Sequence, residues 1–237
     1  MKKVFHPANT RGNANHGWLN AIHSFSFAEY YNAERMNFGA LRVLNDDTIA
    51  PSMGFGLHPH ENMEIITIPL KGELEHKDSM GNIGVIREGE IQVMSAGTGV
   101  YHSEYNKSPN KYINLLQLWI IPNALNVKPR YDQKSIRELK TNNTFYQVLS
   151  PNPSDKGTWI QQDAWFHLGD FDQETATEYQ VKKDGNGVYV FVINGTFTID
   201  DLILNKRDAM GVWEFDKISF LAQANSKVLL IEVPMFV

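Results

Sequence analysis

From Glu64 onward the chain is written in short β-branched runs separated by glycine- and asparagine-bearing turns: EIITIPL, Gly72, ELEHKDS, a DSMGN turn, GVIREGEIQVM and SAGTGVYHSEYN. Turn residues recur about every ten positions and no helical period is sustained, so the pattern predicts antiparallel strands in a sandwich or barrel. KYINLLQLWIIP, residues 111–122, is a near-continuous apolar run ending at proline. We expect a strand covered on both faces that closes a first barrel. Upstream, the alternation in HSFSF predicts a strand with Phe25 and Phe27 on one face, and ALRVLNDDTIAP predicts a strand over residues 40–44 followed by a polar turn.

Residues 123 to about 157 change character, with Pro129, Pro151, Pro153 and polar clusters such as KTNNT and SPNPSDKG, and form the best candidate for a connection. A second β-rich block follows and echoes the first: PLKGELE resembles VINGTFT, IREGEIQVM resembles KRDAMGVW, and LQLWIIP resembles LLIEVP. At 237 residues the chain is long enough for two such units. The expected fold is all-β, two antiparallel β-barrel domains side by side, over residues 1–125 and 126–237.

The chemistry concentrates between His58 and Asn106. HPHENME carries His58, His60 and Glu64; HSEYN carries His102, Glu104 and Asn106. Residues two apart on a strand share a face, so His58 with His60 and His102 with Glu104 are two pairs able to meet across a sheet. Glu64 is the rival fourth ligand, but it lies four residues beyond His60, roughly 13 Å along an extended strand. Glu104 sits beside His102 and is preferred. Three imidazoles and a carboxylate without sulfur suit iron(II), manganese, nickel, cobalt or zinc and leave up to two positions open on an octahedral ion, as a reactive centre needs. In the second block the offset positions of His58 and His60 are occupied by Val181 and Lys183, and His167 has no partner two residues away. That unit is expected to hold no metal.

Composition removes other classes. The absence of cysteine excludes disulfides, thiolate nucleophiles and sulfur-based metal sites, and fits a reducing compartment. A net charge of -5 and a pI near 5.9 argue against gripping a phosphate backbone. Lys2 and Lys3 are followed by no apolar run of targeting or membrane-spanning length, so the expectation is a cytoplasmic protein without direct nucleic-acid or membrane contact.

The stretch from GFGLHPHENMEIITIPLKGELE through SAGTGVYHSEYN, with RGNANHGWL and HSFSF upstream, resembles the pirin family of the cupin superfamily, including bacterial members assigned quercetin 2,3-dioxygenase activity. The likeness covers most of residues 10–122, with Ser95 where the general cupin motif has proline. It implies two cupin barrels with a metal-free second one, the ligands His58, His60, His102 and Glu104, and iron(II) as the usual metal, with zinc, manganese, nickel, cobalt and copper also within reach of such a site. Glu64 would then be structural or orient a histidine. The implied reaction is cleavage of a flavonol with dioxygen and loss of carbon monoxide, Glu104 acting as the base that accepts the substrate hydroxyl proton. Phe25, Phe27, Met53 and Phe55 are available to line an apolar pocket. The resemblance also carries an alternative, a redox-responsive regulatory protein that binds a protein partner.

The remaining chemistry-bearing side chains have plainer readings. His16 and His23 are expected to bond loops or pack at a rim, and His76 to be solvated or paired with a neighbour. Trp119, Trp159, Trp165 and Trp213 are expected in the core, Asn106 as support for a turn, and Lys182 and Lys183 as a solvated hairpin approach.

Overall fold

The computed structural model describes residues 1–236. In chain order its strands are β1 (Lys2–His6), β2 (Gly12–Asn15), β3 (Leu19–His23), β4 (Leu41–Ile49), β5 (Gly54–His60), β6 (Glu64–Lys71) and β7 (Glu73–Asp78). There follow β8 (Ile83–Arg87), β9 (Glu90–Ser95), β10 (Val100–Asn106), β11 (Ile113–Ile120), β12 (Arg130–Ser135), β13 (Phe145–Ser150), β14 (Thr158–Trp159) and β15 (Trp165–Phe171). The last are β16 (Thr175–Gln180), β17 (Asn186–Asn194), β18 (Phe197–Ile199), β19 (Leu202–Leu204), β20 (Ala209–Trp213), β21 (Lys217–Ala222) and β22 (Ser226–Pro234). Only two short 3-10 turns, Ala8–Thr10 and Arg137–Leu139, interrupt this all-β pattern among the described residues.

Four sheets result. The first half has a seven-stranded sheet, β12-β9-β6-β11-β4-β3-β2, facing a four-stranded one, β5-β10-β7-β8. The second half repeats the plan with β1-β20-β17-β22-β15-β13-β14 facing β16-β21-β18-β19. Each half is thus a jelly-roll of two sheets and not a closed barrel, and β11, expected to close it, lies centrally between β6 and β4. Two strands cross the division expected at residue 125: β1 pairs with β20 of the second half, and β12 pairs with β9 of the first.

Side-chain alternation explains the layering. On β11, Leu116, Leu118 and Ile120 enter the largest apolar cluster together with Phe166, Tyr189, Phe191 and Leu229, so the two large sheets pack back to back. Ile113 and Leu115 of the same strand point into the first half instead. The apolar run is therefore covered on both faces, as its composition predicts. In β17, Tyr189 and Phe191 face the central layer while Val188, Val190 and Val192 fill the second half.

Two local expectations fail for identifiable reasons. Beyond β3 the HSFSF segment leaves the sheet, with Ser26 bonded to the 32–35 loop through its backbone and hydroxyl. Phe25 enters the central layer beside Tyr189, 5.3 Å between ring centroids, whereas Phe27 packs on Trp119. The polar turn expected after Leu44 is absent because β4 runs through Asn45, Asp46 and Asp47, all buried. Each has its own compensation. Asn45 bonds His23, and Asp46 bonds Arg207 across the halves at 2.7 Å with Arg11 close by, while Asp47 is pushed up to about 8 by burial and by Asp46 and Glu104.

Candidate metal centre

Strands β5 and β10 pair antiparallel with His102 opposite His58 and Val100 opposite His60. A bulge between His102 and Glu104 shifts the register so that Glu104 lies opposite Phe55. Gly54 is required here: a β-carbon on it would collide with the Glu104 carbonyl. The three imidazoles converge, with ring centroids 4.4 Å apart for His58 and His102, 4.8 Å for His60 and His102, and 4.9 Å for His58 and His60. Their ligand atoms lie within 4.8 Å of one another. Glu104 falls in a second, overlapping group with His76 and His102, also within 4.8 Å and fully buried. His102 joins the two groups.

Hydrogen bonding sets the tautomers, which we assign from the network. His58 Nδ1 donates to the Gly56 carbonyl at 2.7 Å, which leaves its Nε2 lone pair for a metal. His76 Nε2 donates to Asp78 Oδ2 at 3.1 Å, so its Nδ1 accepts from His102 Nδ1 at 3.4 Å. His102 Nε2 then carries a lone pair, and it is buried with no partner. Glu104 shows the same division: Oε2 accepts from Gln117 Nε2 at 2.8 Å, and Oε1 is buried with no partner. Trp119 Nε1 donates to Gln117 Oε1 at 3.3 Å, which orients the amide. Burial, reinforced by the neighbouring imidazoles, lowers His60 to about 4 and His102 to about 3, so both are neutral at pH 7. Neutral imidazoles and two orphaned buried atoms, one nitrogen and one carboxylate oxygen, fit a divalent transition metal.

The supporting residues depart from the sequence expectations. His76 is paired with a neighbour, Asp78, which is one of its two expected readings, but it is fully buried and lies 5.2 Å from the His102 ring. Its spacing to Asp78 could have flagged it, since both share a face of β7. The Trp119 ring stands at 85° to that of His60, centroids 4.8 Å apart, and packs on Phe27, so it belongs to the site wall. Phe55 packs beside His58 at 6.4 Å, Met53 is exposed, and Phe25 is absent from the chamber. Glu64 faces the opposite side of β6 from the centre. It accepts from Ser95 Oγ at 2.7 Å, lies near Arg130, and is raised by burial to about 7. It orients no histidine. Asn106 supports its turn as expected, donating to the carbonyls of Ile49, Ala50 and Lys111. His16 is exposed, and His23 is a buried partner of Asn45.

In the second half the strand pair matching β5 and β10 is β16 and β21, where Tyr179 lies opposite Ile218 and Thr177 opposite Phe220. By this register Thr177, Tyr179 and Phe220 take the positions of His58, His60 and His102, in place of the Val181 and Lys183 expected from the sequence offset, and Ile218 takes that of Val100. Tyr179, Ile218 and Phe220 join one apolar cluster there.

Paired jelly-rolls, one with converging histidines and one with an apolar cluster at the matching positions, define a bicupin fold with a candidate metal centre in its first half. The chain belongs to the pirin family: the Pirin family model matches residues 4–120, and the model of the quercetinase C-terminal cupin domain matches residues 147–233. It is 41% identical over 227 residues to quercetin 2,3-dioxygenase of Escherichia coli (strain K12), covering 96% of each chain. It is 37% identical to a pirin-like protein of Caulobacter vibrioides, over 95% of this chain and 97% of that one. Among solved structures it matches the bacterial pirin YhhW of Escherichia coli in complex with nickel(II), with TM-score 0.92, 39% identity, and 98% and 99% of the two chains covered. No helix among the described residues is long and apolar enough to cross a membrane.

Proposed function

We propose that the chain is a metal-dependent dioxygenase that opens the heterocyclic ring of a flavonol, with iron(II) held by His58, His60, His102 and Glu104. The observation that carries this reading is the pair of buried, unpartnered atoms, His102 Nε2 and Glu104 Oε1, with the His60 and His102 imidazoles kept neutral by burial. Relatives named quercetin 2,3-dioxygenase support the substrate class. Iron(II) bound there supplies the one-electron chemistry that lets dioxygen combine with an organic substrate.

The chain's own residues do the rest. Glu104, the one carboxylate at the metal, accepts the proton of a substrate hydroxyl, while Gln117 holds its Oε2 still. The Asp78–His76–His102 chain fixes the His102 tautomer. Trp119 and Phe27 offer an aromatic wall beside His60.

The test is anaerobic reconstitution with iron(II), then quercetin under oxygen, following flavonol absorbance and oxygen consumption against Glu104→Gln. Turnover by the wild type and none by the variant supports the reading; iron binding without oxygen uptake overturns it. A second reading, a metal-dependent regulatory protein docking a protein partner, is favoured by one feature. Leu57, Tyr101 and Tyr105 are exposed on the outer face of the strands that carry the ligands, where metal loading could alter a docking surface.

A further inference from the structure

The interior of the first half is not one apolar core. Leu19, Ile49, Leu74, Ile86, Ile113 and Leu115 form one cluster with their neighbours, and Ile65, Met94 and Val100 form a separate one. Between them a row of polar side chains crosses five strands in register. Asn45 of β4 lies opposite Gln117 of β11, Gln117 opposite Thr67 of β6, Thr67 opposite Gln92 of β9, and Gln92 opposite Gln133 of β12. Residues directly opposite in antiparallel strands share a face. Gln117 reaches Glu104, so the row lies on the face of the sheet turned toward the candidate metal centre.

The outer members are bonded: Asn45 to His23, Gln117 to Glu104 and Trp119, and Gln133 to Tyr131 and Glu90. The two central members are not. Thr67 Oγ1 and both amide atoms of Gln92 are buried without a partner, and the two residues are 0% and 1% exposed. Leaving such groups unpaired is unfavourable, and native structures seldom do so without a reason. One neighbour of this pair bonds a candidate ligand, and the other leads to the histidine behind it. Gln117 bonds Glu104 on one side; on the other, Gln133 bonds Tyr131, whose ring lies 4.8 Å from that of His76.

The fold itself does not demand a polar row. In the second half the matching positions, Leu230, Val190 and Met210, pair in the same order and lie in one continuous apolar cluster.

We propose that Thr67 and Gln92 form the floor of the ligand chamber and bind a hydroxyl or carbonyl group of the substrate remote from the metal, so that the protein selects polyoxygenated ring compounds. An amide supplies one donor and one acceptor and a hydroxyl supplies either, a set matched to a phenolic group that both gives and takes a hydrogen bond. This rests on the dioxygenase reading for the choice of probe, not for the existence of the floor.

The test is the double variant Thr67→Val/Gln92→Met, which installs the side chains of the second half. Nickel(II)-loaded protein is titrated without oxygen with quercetin and with 3-hydroxyflavone, which keeps the hydroxyl-ketone pair but lacks the other ring hydroxyls. The wild type binds quercetin at least about tenfold more tightly, and the variant loses that preference while its 3-hydroxyflavone affinity is unchanged. Without ligand, the variant melts a few degrees higher, because apolar side chains replace unpaired polar groups. A retained preference for quercetin overturns the proposal, as does a lowered melting temperature, which would assign the row to internal water and structure. If neither flavonol binds the wild type, the dioxygenase reading fails and the melting shift still decides the floor.

Discussion

Replacing Gln117 by methionine removes two hydrogen bonds and almost no volume. The wild-type amide donates to Glu104 Oε2 at 2.8 Å and accepts from Trp119 at 3.3 Å, beside a carboxylate only 2% exposed. A hydrogen bond to a charged buried group contributes about 1.5–3 kcal/mol, so the metal-free protein should lose stability of that order. Two effects then act on metal binding. A carboxylate without its donor attracts a cation more strongly, whereas loss of the bond frees the side chain to rotate away from the histidines. Orientation should dominate, because Gln117 is the only side chain bonded to Glu104 among the described residues. Removal of supporting bonds of this kind typically weakens metal affinity about 10–100-fold. Chelator competition with nickel(II), with circular dichroism to verify folding, measures this directly. Affinity equal to or above wild type in a folded Gln117→Met protein would refute the positioning argument.

Further expectations follow from the same geometry. His58→Ala and His102→Ala should each abolish stoichiometric metal binding without loss of the fold, as read by metal content and circular dichroism. Asp78→Asn should weaken metal binding by roughly tenfold through the His76–His102 chain, measured by the same competition. Glu64 keeps a raised pKa in the folded state, so its contribution to stability is full below the ordinary carboxylate range and declines as pH rises through about 7. Glu64→Gln should therefore remove a slope of at most about 1.4 kcal/mol per pH unit between pH 5 and 7 in urea melts; an unchanged slope refutes it. Asp46→Ala leaves the buried Arg11 side chain and the partly buried Arg207 without their carboxylate and should destabilise the protein by about 3 kcal/mol in the same melts.

The strands and the converging histidines were legible because both depend on local period: alternation identifies a strand, and an i,i+2 pair on a strand shares a face whatever the rest of the chain does. What stayed hidden depends on partners far away in sequence. Asn45, Asp46 and Asp47 read as a turn because their compensation comes from His23, from Arg207 beyond the far end of the second half's β19, and from the environment of Glu104. His76 read as solvated or paired with a neighbour because its strand looks charged; the pairing with Asp78 holds, but the packing of its ring on His102 and Tyr131 depends on strands far away in sequence. Glu64 has the parity of His60 only if one strand is extended through both; the chain turns at Glu61–Met63, so β6 carries Glu64 toward Ser95 and Arg130. The exchange of β1 and β12 between the large sheets leaves no local trace, since an edge strand reads the same whichever sheet it joins.

The most direct measurement is anomalous scattering from crystals of the metal-loaded protein. The account predicts a single strong peak bounded by His58 Nε2, His60, His102 Nε2 and Glu104, with His76 outside the coordination sphere and still bonded to Asp78. A peak held instead by His76, His102 and Glu104, the overlapping buried group, would contradict it, as would a metal that leaves His58 and His60 unligated.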